Sequence, residues 1–425
     1  MGFMIKQDIA VLRELVKQYA EVAALPEQAE KIRLWQKLNG LEPERPMFMI
    51  DQLPWNELEY GDELTLRCGD ATCRMIETDL RRLLYRSRYL QDDFAYEPVL
   101  RVPKKITGVD FDPTQGICFD YGISIDHDTI AAEKMNTTLS HHYHDQLDTF
   151  EALERLRAPQ IVLDEAESVR REEIAHLAAD GILPVLMDGF GPWCHPWDDI
   201  FMWRGTENVF YDLADEPEKL HATVRKIMDI NLNCLDQLEE KGLLCAPQPL
   251  VHCTGAWSQA LPAHGYDPAR PRAKDIWTYG MAQMLYTVSP EQHAQLEFAY
   301  VHAWYERFGL VYYGCCEPLE GERLEHVLNI PNLRKVSVSH WVKDREAVSE
   351  RFAGRYVMSF KPSPSYLVDP AWDPSFIEEN LKGLCAAAAK FATPCELILK
   401  DVSTVNHHPE RLTQWAKIAR RVVER

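Results

Sequence analysis

The stretch "RYVMSFKPSPSYLVDPAWDPSFIEENLKGLCAAAAKFATPCELILKDVS" (355–403) contains the pattern that decides the fold. Its two ends, 355–360 and 395–403, are short apolar runs of the kind that form buried strands. Between them, 373–392 carries apolar residues at helical spacing. A strand, a helix and a second strand in this order predict a parallel βαβ unit, because the helical crossover returns the chain to the start of the sheet.

The same alternation recurs through the second half of the chain. Further strands are predicted at 181–192, 248–255, 310–315 and 334–339, and helices at 216–242 and 289–309. The sequence contains no glycine-rich phosphate-binding fingerprint that would favour a doubly wound sheet. Over 425 residues, this pattern predicts the α/β class and, within it, a (β/α)8 TIM barrel.

The first part of the chain is predicted to elaborate that barrel. It should hold helices at 5–23 and 27–39, a first barrel strand within "RPMFMIDQLPW" (45–55), a β-hairpin around Gly-Asp at 63–76, and a second β-rich stretch at 97–125. No internal repeat or low-complexity linker divides the sequence. We therefore expect a single domain over 1–425, with N-terminal helices in 1–45 and a β-hairpin elaboration.

Charge and hydropathy exclude several classes of function. The chain has 46 Lys and Arg against 66 Asp and Glu, a net charge of −20, and no basic block that could follow a nucleic-acid backbone. Its first 22 residues resemble an amphipathic helix rather than a signal peptide, and no run of about 18 apolar residues would span a membrane. These features predict a cytoplasmic protein that binds neither nucleic acid nor membrane.

Polar and metal-binding residues gather where the predicted strands end. In a barrel the loops after the strands converge on one mouth, so these side chains should lie near one another. The strand ends supply Asp51, Gln52, Asp188, His252, Cys253, Cys315, Cys316, Glu317, His340, Lys361, Lys400 and Asp401. This convergence predicts a functional site at the carboxyl ends of the strands.

Two adjacent cysteines, Cys315 and Cys316, follow one of these strands. Eleven cysteines in a chain with no export signal should be reduced thiols, and thiolates with imidazole select zinc. The predicted metal ligands are Cys315, Cys316, His252 and Cys253. Alternatively, the cysteines are small buried residues, Asp51 and Asp401 cap helices, and Lys361 is a solvated loop residue.

Three segments carry a family resemblance: "KDIWTYGMAQMLYTVSPEQH" (274–293), "GLVYYGCCEPLEGERLEHVLNIPNLRKVSVSHW" (309–341) and "CELILKDVSTVNHHPERLTQWAKIARRVVE" (395–424). They resemble the uroporphyrinogen decarboxylase superfamily, specifically its decarboxylase-like branch associated with corrinoid methyltransfer. The resemblance implies a (β/α)8 barrel and a homodimer. It extends over about residues 40–425.

The resemblance also implies which chemistry to expect. Porphyrinogen decarboxylases of this superfamily hold substrate carboxylates with an arginine-containing loop after the first strand, but here the loop reads "MIDQLPW" (49–55). Its methyltransferases bind zinc through a His-x-Cys motif and a later cysteine. In this chain Tyr313 stands at the histidine position and Cys315 at the cysteine position, so only the cysteine matches.

The resemblance therefore implies a corrinoid-dependent methyltransferase. Such an enzyme would move a methyl group between a small methylated substrate and the cobalamin of a partner protein, with the assistance of zinc. The chain has no cobalamin-binding motif of its own. Glu317, Asp51, His340, Lys361 and Asp401 are the predicted catalytic residues. Predicted substrate-binding residues are Gln52, Trp55, Asp188, Trp193, Trp257, Gln283 and Tyr313.

Two alternatives remain open. The first is a decarboxylase or lyase of the uroporphyrinogen decarboxylase type that acts on another substrate, without metal and with Lys361 or Lys400 as the electrostatic anchor. The second is a non-catalytic barrel that binds a tetrapyrrole or corrinoid. Metal content separates the methyltransferase from the lyase, and methyl turnover separates it from the binding protein.

Overall fold

A parallel six-stranded sheet is the centre of the molecule. The structure, a computed structural model, describes residues 3–112, 116–130 and 140–424. The sheet contains β1 (Met47–Ile50), β12 (Trp277–Gly280), β13 (Leu310–Tyr313), β14 (Leu333–Ser339), β15 (Val357–Lys361) and β16 (Cys395–Leu399). Their order is β1-β16-β15-β14-β13-β12, and every neighbouring pair is parallel. These strands confirm the α/β class, and all except β12 overlap apolar runs that were predicted to form strands.

The remaining described strands form pairs. They are β2 (Leu100–Pro103), β3 (Ile106–Thr107), β4 (Val109–Asp112), β5 (Gly116–Phe119), β6 (His127–Ile130), β7 (Ser140–Tyr143), β8 (Val162–Leu163), β9 (Val185–Asp188), β10 (Leu250–Val251) and β11 (Thr254–Gly255). Only β2 and β9 among these pair in parallel, and single parallel bridges join Phe190 to Leu244 and Cys194 to Gly280. These pairings do not show eight strands closing into one barrel, so the (β/α)8 barrel stays a prediction.

Helices connect the strands. They are α1 (Phe3–Ala23), α2 (Pro26–Asn39), α3 (Ala71–Tyr85), α4 (Glu165–Ala179), α5 (Pro196–Arg204), α6 (Thr206–Asp215), α7 (Pro217–Lys241), α8 (Pro290–His293), α9 (Ala299–Tyr305), α10 (Gly321–Val327), α11 (Arg345–Phe352), α12 (Pro374–Lys390) and α13 (Glu410–Val423). In α12, the Asp373 carboxylate caps the first turn by accepting from two backbone N–H groups. Within the described ranges, no helix is both long and apolar enough to cross a membrane.

The predicted hairpin at 63–76 is wrong. Gly69 and Asp70 do not turn between two strands; instead, the Asp70 carboxylate accepts from the N–H groups of Thr72 and Cys73 and starts α3. Antiparallel hairpins occur later, as β4 with β5 and β6 with β7. Asp is favoured both in turns and at helix N-termini, so the local sequence did not distinguish the two structures.

The predicted strand at 248–255 is also different in the structure. It folds back on itself, and β10 pairs with β11 in the antiparallel direction across a two-residue turn. The turn residues are His252, in the left-handed backbone region at φ 54°, and Cys253. Both residues therefore lie in a tight turn rather than after a sheet strand.

The two faces of the sheet differ in chemistry. Phe48 and Ile50 of β1 share one apolar cluster with Leu397 and Leu399 of β16, on the face opposite Met47 and Met49. The face of Met47 and Met49 carries buried polar side chains: Lys335 of β14, Ser359 and Lys361 of β15, and Glu396 of β16. Burying so many polar groups is tolerated only when they find partners.

A fully buried ion pair joins β14 to β16 on this polar face. Lys335 Nζ lies 2.7 Å from Glu396 Oε2, and both side chains are 0% exposed. Ser359, on the strand between them, donates to Glu396 Oε1 at 2.5 Å. Lys335 also donates to Thr254 Oγ1 at 3.0 Å, so the pair fixes the β10–β11 turn against the sheet.

We predict that Glu396→Ala lowers the free energy of unfolding by about 3–5 kcal/mol, because the Lys335 ammonium would stay buried without its counterion. The double variant Lys335→Met/Glu396→Leu should recover most of this loss, since both charges are removed together. Urea denaturation of the three proteins measures the effect. If Glu396→Ala lowered the free energy of unfolding by less than about 1 kcal/mol, the result would contradict a tightly coupled ion pair.

Candidate functional site

The cysteine pair follows β13 in a tightly constrained turn. Gly314 has φ 93°, and a side-chain Cβ there would lie 2.7 Å from the Leu319 side chain, so only glycine fits. The Cys315 N–H donates to Glu317 Oε2 at 2.8 Å, and the Cys315 carbonyl accepts from Ser337 Oγ at 2.7 Å. These bonds fix the backbone that carries both thiols.

Two sulfurs and one carboxylate converge at this point. Cys315 Sγ and Cys316 Sγ are 3.6 Å apart, and Cys316 Sγ lies 3.1 Å from Asp401 Oδ2. The three ligand atoms lie within 4.8 Å of one another. Cys315 is buried and Cys316 is exposed, so the cluster opens to solvent on one side.

Lys400 supplies a cation to the same cluster. It follows β16, is 2% exposed, and its Nζ lies 2.9 Å from Cys315 Sγ and 2.8 Å from Asp401 Oδ2. Asp401 has a left-handed backbone, φ 54°, which directs its carboxylate back toward the preceding lysine's ammonium. The ends of two non-adjacent strands, β13 and β16, thereby build one group.

The cluster divides its protons unequally. The hydrogen bond with Cys316 and the charge of Lys400 lower the pKa of Cys315, against the effect of burial. The same sulfur–sulfur contact, together with burial, raises the pKa of Cys316. Burial opposes ionisation of Asp401, but Lys400 outweighs it and lowers the pKa of that carboxyl. Cys315 is therefore the more acidic thiol of the pair.

This donor set fits zinc. Two cysteine sulfurs and a carboxylate oxygen are ligands that zinc accepts, and a catalytic zinc keeps another position for water or substrate. The grouping Cys315, Cys316 and Asp401 unites three of the predicted strand-end residues. Glu317 is adjacent but holds the Cys315 backbone with one carboxylate oxygen, while its other oxygen, Oε1, is buried without a hydrogen-bond partner.

An aromatic layer holds the other two predicted ligands. His252 stacks on Tyr279 with ring centroids 4.0 Å apart and contacts Trp193 edge to face at 5.3 Å. Cys253 Sγ lies 3.9 Å from the Tyr312 hydroxyl. Burial, followed by the charges of Lys400 and Lys361, lowers the pKa of His252 well below its usual value. The imidazole is neutral, with both ring nitrogens buried and unpartnered.

Asp51 and Trp55 line a cavity of about 570 Å³ next to the end of β1. The Asp51 N–H donates to the Leu399 carbonyl at 2.9 Å, beside Lys400. Its carboxylate is 3.9 Å from Arg86, yet burial raises the pKa of Asp51. The walls are mainly apolar, and the Arg82 guanidinium lies over the Trp55 ring at 5.1 Å.

Other predicted residues have structural partners away from the thiols. Asp188 accepts from Arg101 at 2.8 Å, Gln283 donates to Asp198 at 3.1 Å, and His340 packs on Trp341 with centroids 4.4 Å apart. These three side chains are not joined to the cysteine cluster by any contact among the described residues.

Backbone contacts and strand direction place three more residues. The Trp257 carbonyl accepts from Asn39, and the Gln52 carbonyl accepts from the Val402 N–H. Tyr313 is directed to the opposite face of β13, where its hydroxyl donates to Glu297 at 2.6 Å. Its neighbour Tyr312 is the tyrosine that faces His252 and Lys361.

The residues missing from the predicted catalytic set are Lys400, Tyr279 and Tyr312. The sequence predicts Lys400 at a strand end, and gives it a chemical role only as the electrostatic anchor of the lyase alternative. Alternation along β13 puts Tyr312 and Tyr313 on opposite faces, but the sequence does not say which face carries the site. The ten cysteines with described side chains are all free thiols.

Comparisons with known proteins find similarity among solved structures. No protein-family model matches the chain, and no curated protein matches it. Among solved structures, the chain is similar to a methyltransferase from Methanosarcina mazei, with 11% sequence identity, a TM-score of 0.47, and coverage of 91% of this chain and 97% of that chain. At this identity and score, the similarity assigns neither a family nor an activity.

A second buried acidic group lies at the start of α5. Asp199 Oδ2 is 3.6 Å from His195 Nδ1, and Asp198 is next in the chain. Burial raises the pKa of Asp199 to about 7, with His195 opposing and Asp198 adding to the shift. The folded protein therefore keeps a proton on Asp199 at a pH where the unfolded chain, with a pKa near 3.8, has lost it.

We predict that this proton makes stability fall as pH rises from about 4 to 7, because the folded state binds more protons than the unfolded state over that interval. Asp199→Asn removes the titration, so the melting temperature of the wild type should fall relative to that of the variant between pH 5 and pH 8. Calorimetry across this range tests it. Parallel curves for the two proteins would contradict the raised pKa.

Proposed function

We propose that the protein is a zinc-assisted, corrinoid-dependent methyltransferase that moves a methyl group between a small methylated substrate and the cobalamin of a partner protein. The observation that carries this proposal is the convergence of Cys315, Cys316 and Asp401 around Lys400 at the carboxyl ends of two parallel strands. The proposal includes a closed (β/α)8 barrel, whose loops would gather these side chains at one mouth.

The proposed zinc ligands are Cys315, Cys316 and Asp401, with the neutral imidazole of His252 as a fourth candidate. Bound zinc would act as a Lewis acid that makes a methyl-bearing group a better leaving group or a thiol a better nucleophile. The residues of the chain supply the rest. Lys400 donates to the Cys315 sulfur and favours its thiolate form, and Glu317 fixes the Cys315 backbone by accepting from its N–H.

The surroundings suit a small, partly apolar substrate. Tyr279, Tyr312 and Trp193 form an apolar aromatic wall beside His252. The cavity at Asp51 and Trp55 is about 570 Å³, a volume within the range of small-molecule sites. Cobalamin would arrive on a partner protein, since this chain contains no cobalamin-binding motif. A homodimer in the cytoplasm remains part of the proposal.

A metal-free lyase is the second candidate. Two buried lysines, Lys361 and Lys400, lie on the same face of the sheet, and buried cations can stabilise the negative charge that develops in a decarboxylation. A non-catalytic tetrapyrrole-binding barrel would need neither metal nor methyl turnover. Metal analysis followed by a methylation assay distinguishes the three.

We predict about one zinc per chain in the purified protein, and loss of most of it in Cys315→Ser/Cys316→Ser, because both sulfur ligands are removed. Asp401→Asn should weaken zinc binding by about 10-fold or more, because it replaces a charged ligand. Elemental analysis after dialysis against a chelator measures retention. Cys385→Ser, a half-buried thiol on α12, is the matched control and should keep its zinc.

Cob(I)alamin methylation, followed by its absorbance change with a panel of methoxy, methylamine and methyl thioether donors, tests the reaction. We expect turnover in the wild type and in Cys385→Ser, and loss of at least about 100-fold in the double cysteine variant. If zinc-loaded wild-type protein failed to methylate cobalamin with every donor of the panel, the methyltransferase proposal would be overturned. Absence of zinc after supplementation would favour the lyase.

A further inference from the structure

Three buried lysines lie along the polar face of the sheet, and two of them have a carboxylate partner. Lys335 is paired with Glu396 at 2.7 Å, and Lys400 is paired with Asp401 at 2.8 Å. Lys361, at the end of β15, is 5% exposed. No carboxylate of the described residues lies within 4.0 Å of its ammonium. Lys361 is therefore buried without the carboxylate partner that Lys335 and Lys400 each have.

The contacts of Lys361 leave donor capacity unused. Its Nζ donates to Ser359 Oγ at 2.6 Å and lies 5.2 Å from the centre of the Tyr312 ring. Ser359 in turn donates its own proton to Glu396 at 2.5 Å, so its hydroxyl is oriented to accept from the lysine. A lysine ammonium has three N–H donors, and two of them have no acceptor within the described structure.

An ammonium buried in this way is costly unless an anion compensates it. The chain as a whole carries a net charge of −20, yet the positive charges of Lys361 and Lys400 both act on the same imidazole, His252. The aromatic side chains Tyr279, Tyr312 and Trp193 border this region. Lys361 is the cation of the polar face whose charge no carboxylate of the described residues pairs. A compact anion with an apolar body matches those surroundings.

We propose that Lys361 binds a carboxylate of the small substrate. This inference rests on the proposed function, because it names the chemical class of the molecule that the methyltransferase would act on. The two unused N–H donors of Lys361 suit the two oxygens of one carboxylate. The aromatic wall would contact the hydrocarbon part, and the methyl-bearing end would be directed toward Cys315 and Cys316.

Binding measurements test this proposal independently of turnover. Isothermal titration calorimetry would use a panel of two- to five-carbon methoxy and methylthio carboxylates, each compared with its own primary amide. We expect at least one carboxylate to bind the wild type about 10-fold or more tightly than its amide. Lys361→Met should abolish that preference while amide binding and zinc content stay unchanged.

Two other lysine variants serve as controls for indirect effects of Lys361→Met. Lys343→Met removes one positive charge from an exposed position and should retain the carboxylate preference. Lys335→Met removes the paired lysine of the same face and should lower the melting temperature. Lys361→Met, by contrast, should melt at or above the wild-type temperature without ligand, because it removes an uncompensated buried charge. A Lys361→Met variant that melts far below the wild type would overturn the unpaired assignment.

The outcomes separate this inference from the proposed function. Carboxylate preference that depends on Lys361, in a protein without zinc or methyl transfer, would support the anchor and overturn the methyltransferase. The methyltransferase would be supported and the anchor overturned if methyl transfer were equally efficient with acids and with amides. Equal efficiency in the wild type and in Lys361→Met would be part of the same outcome. If no carboxylate in the panel binds better than its amide, the anchor is overturned.

Discussion

The buried ion pair between Lys335 and Glu396 is the interaction on which the polar face of the sheet depends. It spans three parallel strands through Ser359, and Lys335 also bonds Thr254 and lies over the Trp35 ring at 5.2 Å. One ammonium therefore joins the sheet, the β10–β11 turn and the N-terminal helix α2. Without Glu396, the buried Lys335 ammonium would have no counterion and would destabilise the elements that contact it.

That constraint also positions the candidate site. Because Lys335 binds the residue after Cys253, it fixes the turn that brings His252 and Cys253 against Tyr279 and Tyr312. Farther along the same face, the strands end at the thiols and at Lys400. Lys335, Lys361 and Lys400 therefore lie one after another from the interior of the sheet to its carboxyl edge. The last of them, Lys400, contacts Cys315.

The larger elements could be predicted from the sequence because their signals are local. Apolar runs and helical spacing located α1, α2, α7, α12 and every strand of the central sheet except β12. The errors arose where the deciding contact is distant or ambiguous. Asp70 caps a helix instead of turning a hairpin, and the run at 248–255 folds back because its partners include Lys335, some 80 residues away.

The candidate site was predictable in part for the same reason. Strand ends pointed to Cys315, Cys316 and Asp401, which the fold brings together. The inward-facing tyrosine was not predictable, because alternation separates Tyr312 from Tyr313 without saying which face is functional. Asp188 also follows a predicted strand, and Gln283 is a predicted substrate-binding residue, but their side chains bond Arg101 and Asp198 instead. Such pairings depend on tertiary contacts that the local sequence does not show.

Zinc K-edge X-ray absorption on the purified protein tests the central claim most directly, because it counts the sulfur atoms bound to the metal. We expect two sulfur ligands at about 2.3 Å together with lighter oxygen or nitrogen ligands at about 2.0–2.2 Å. The sulfur contribution should disappear in Cys315→Ser/Cys316→Ser. A spectrum with nitrogen and oxygen ligands alone would contradict it, and would leave the cysteine pair as a Lys400-stabilised thiolate without metal.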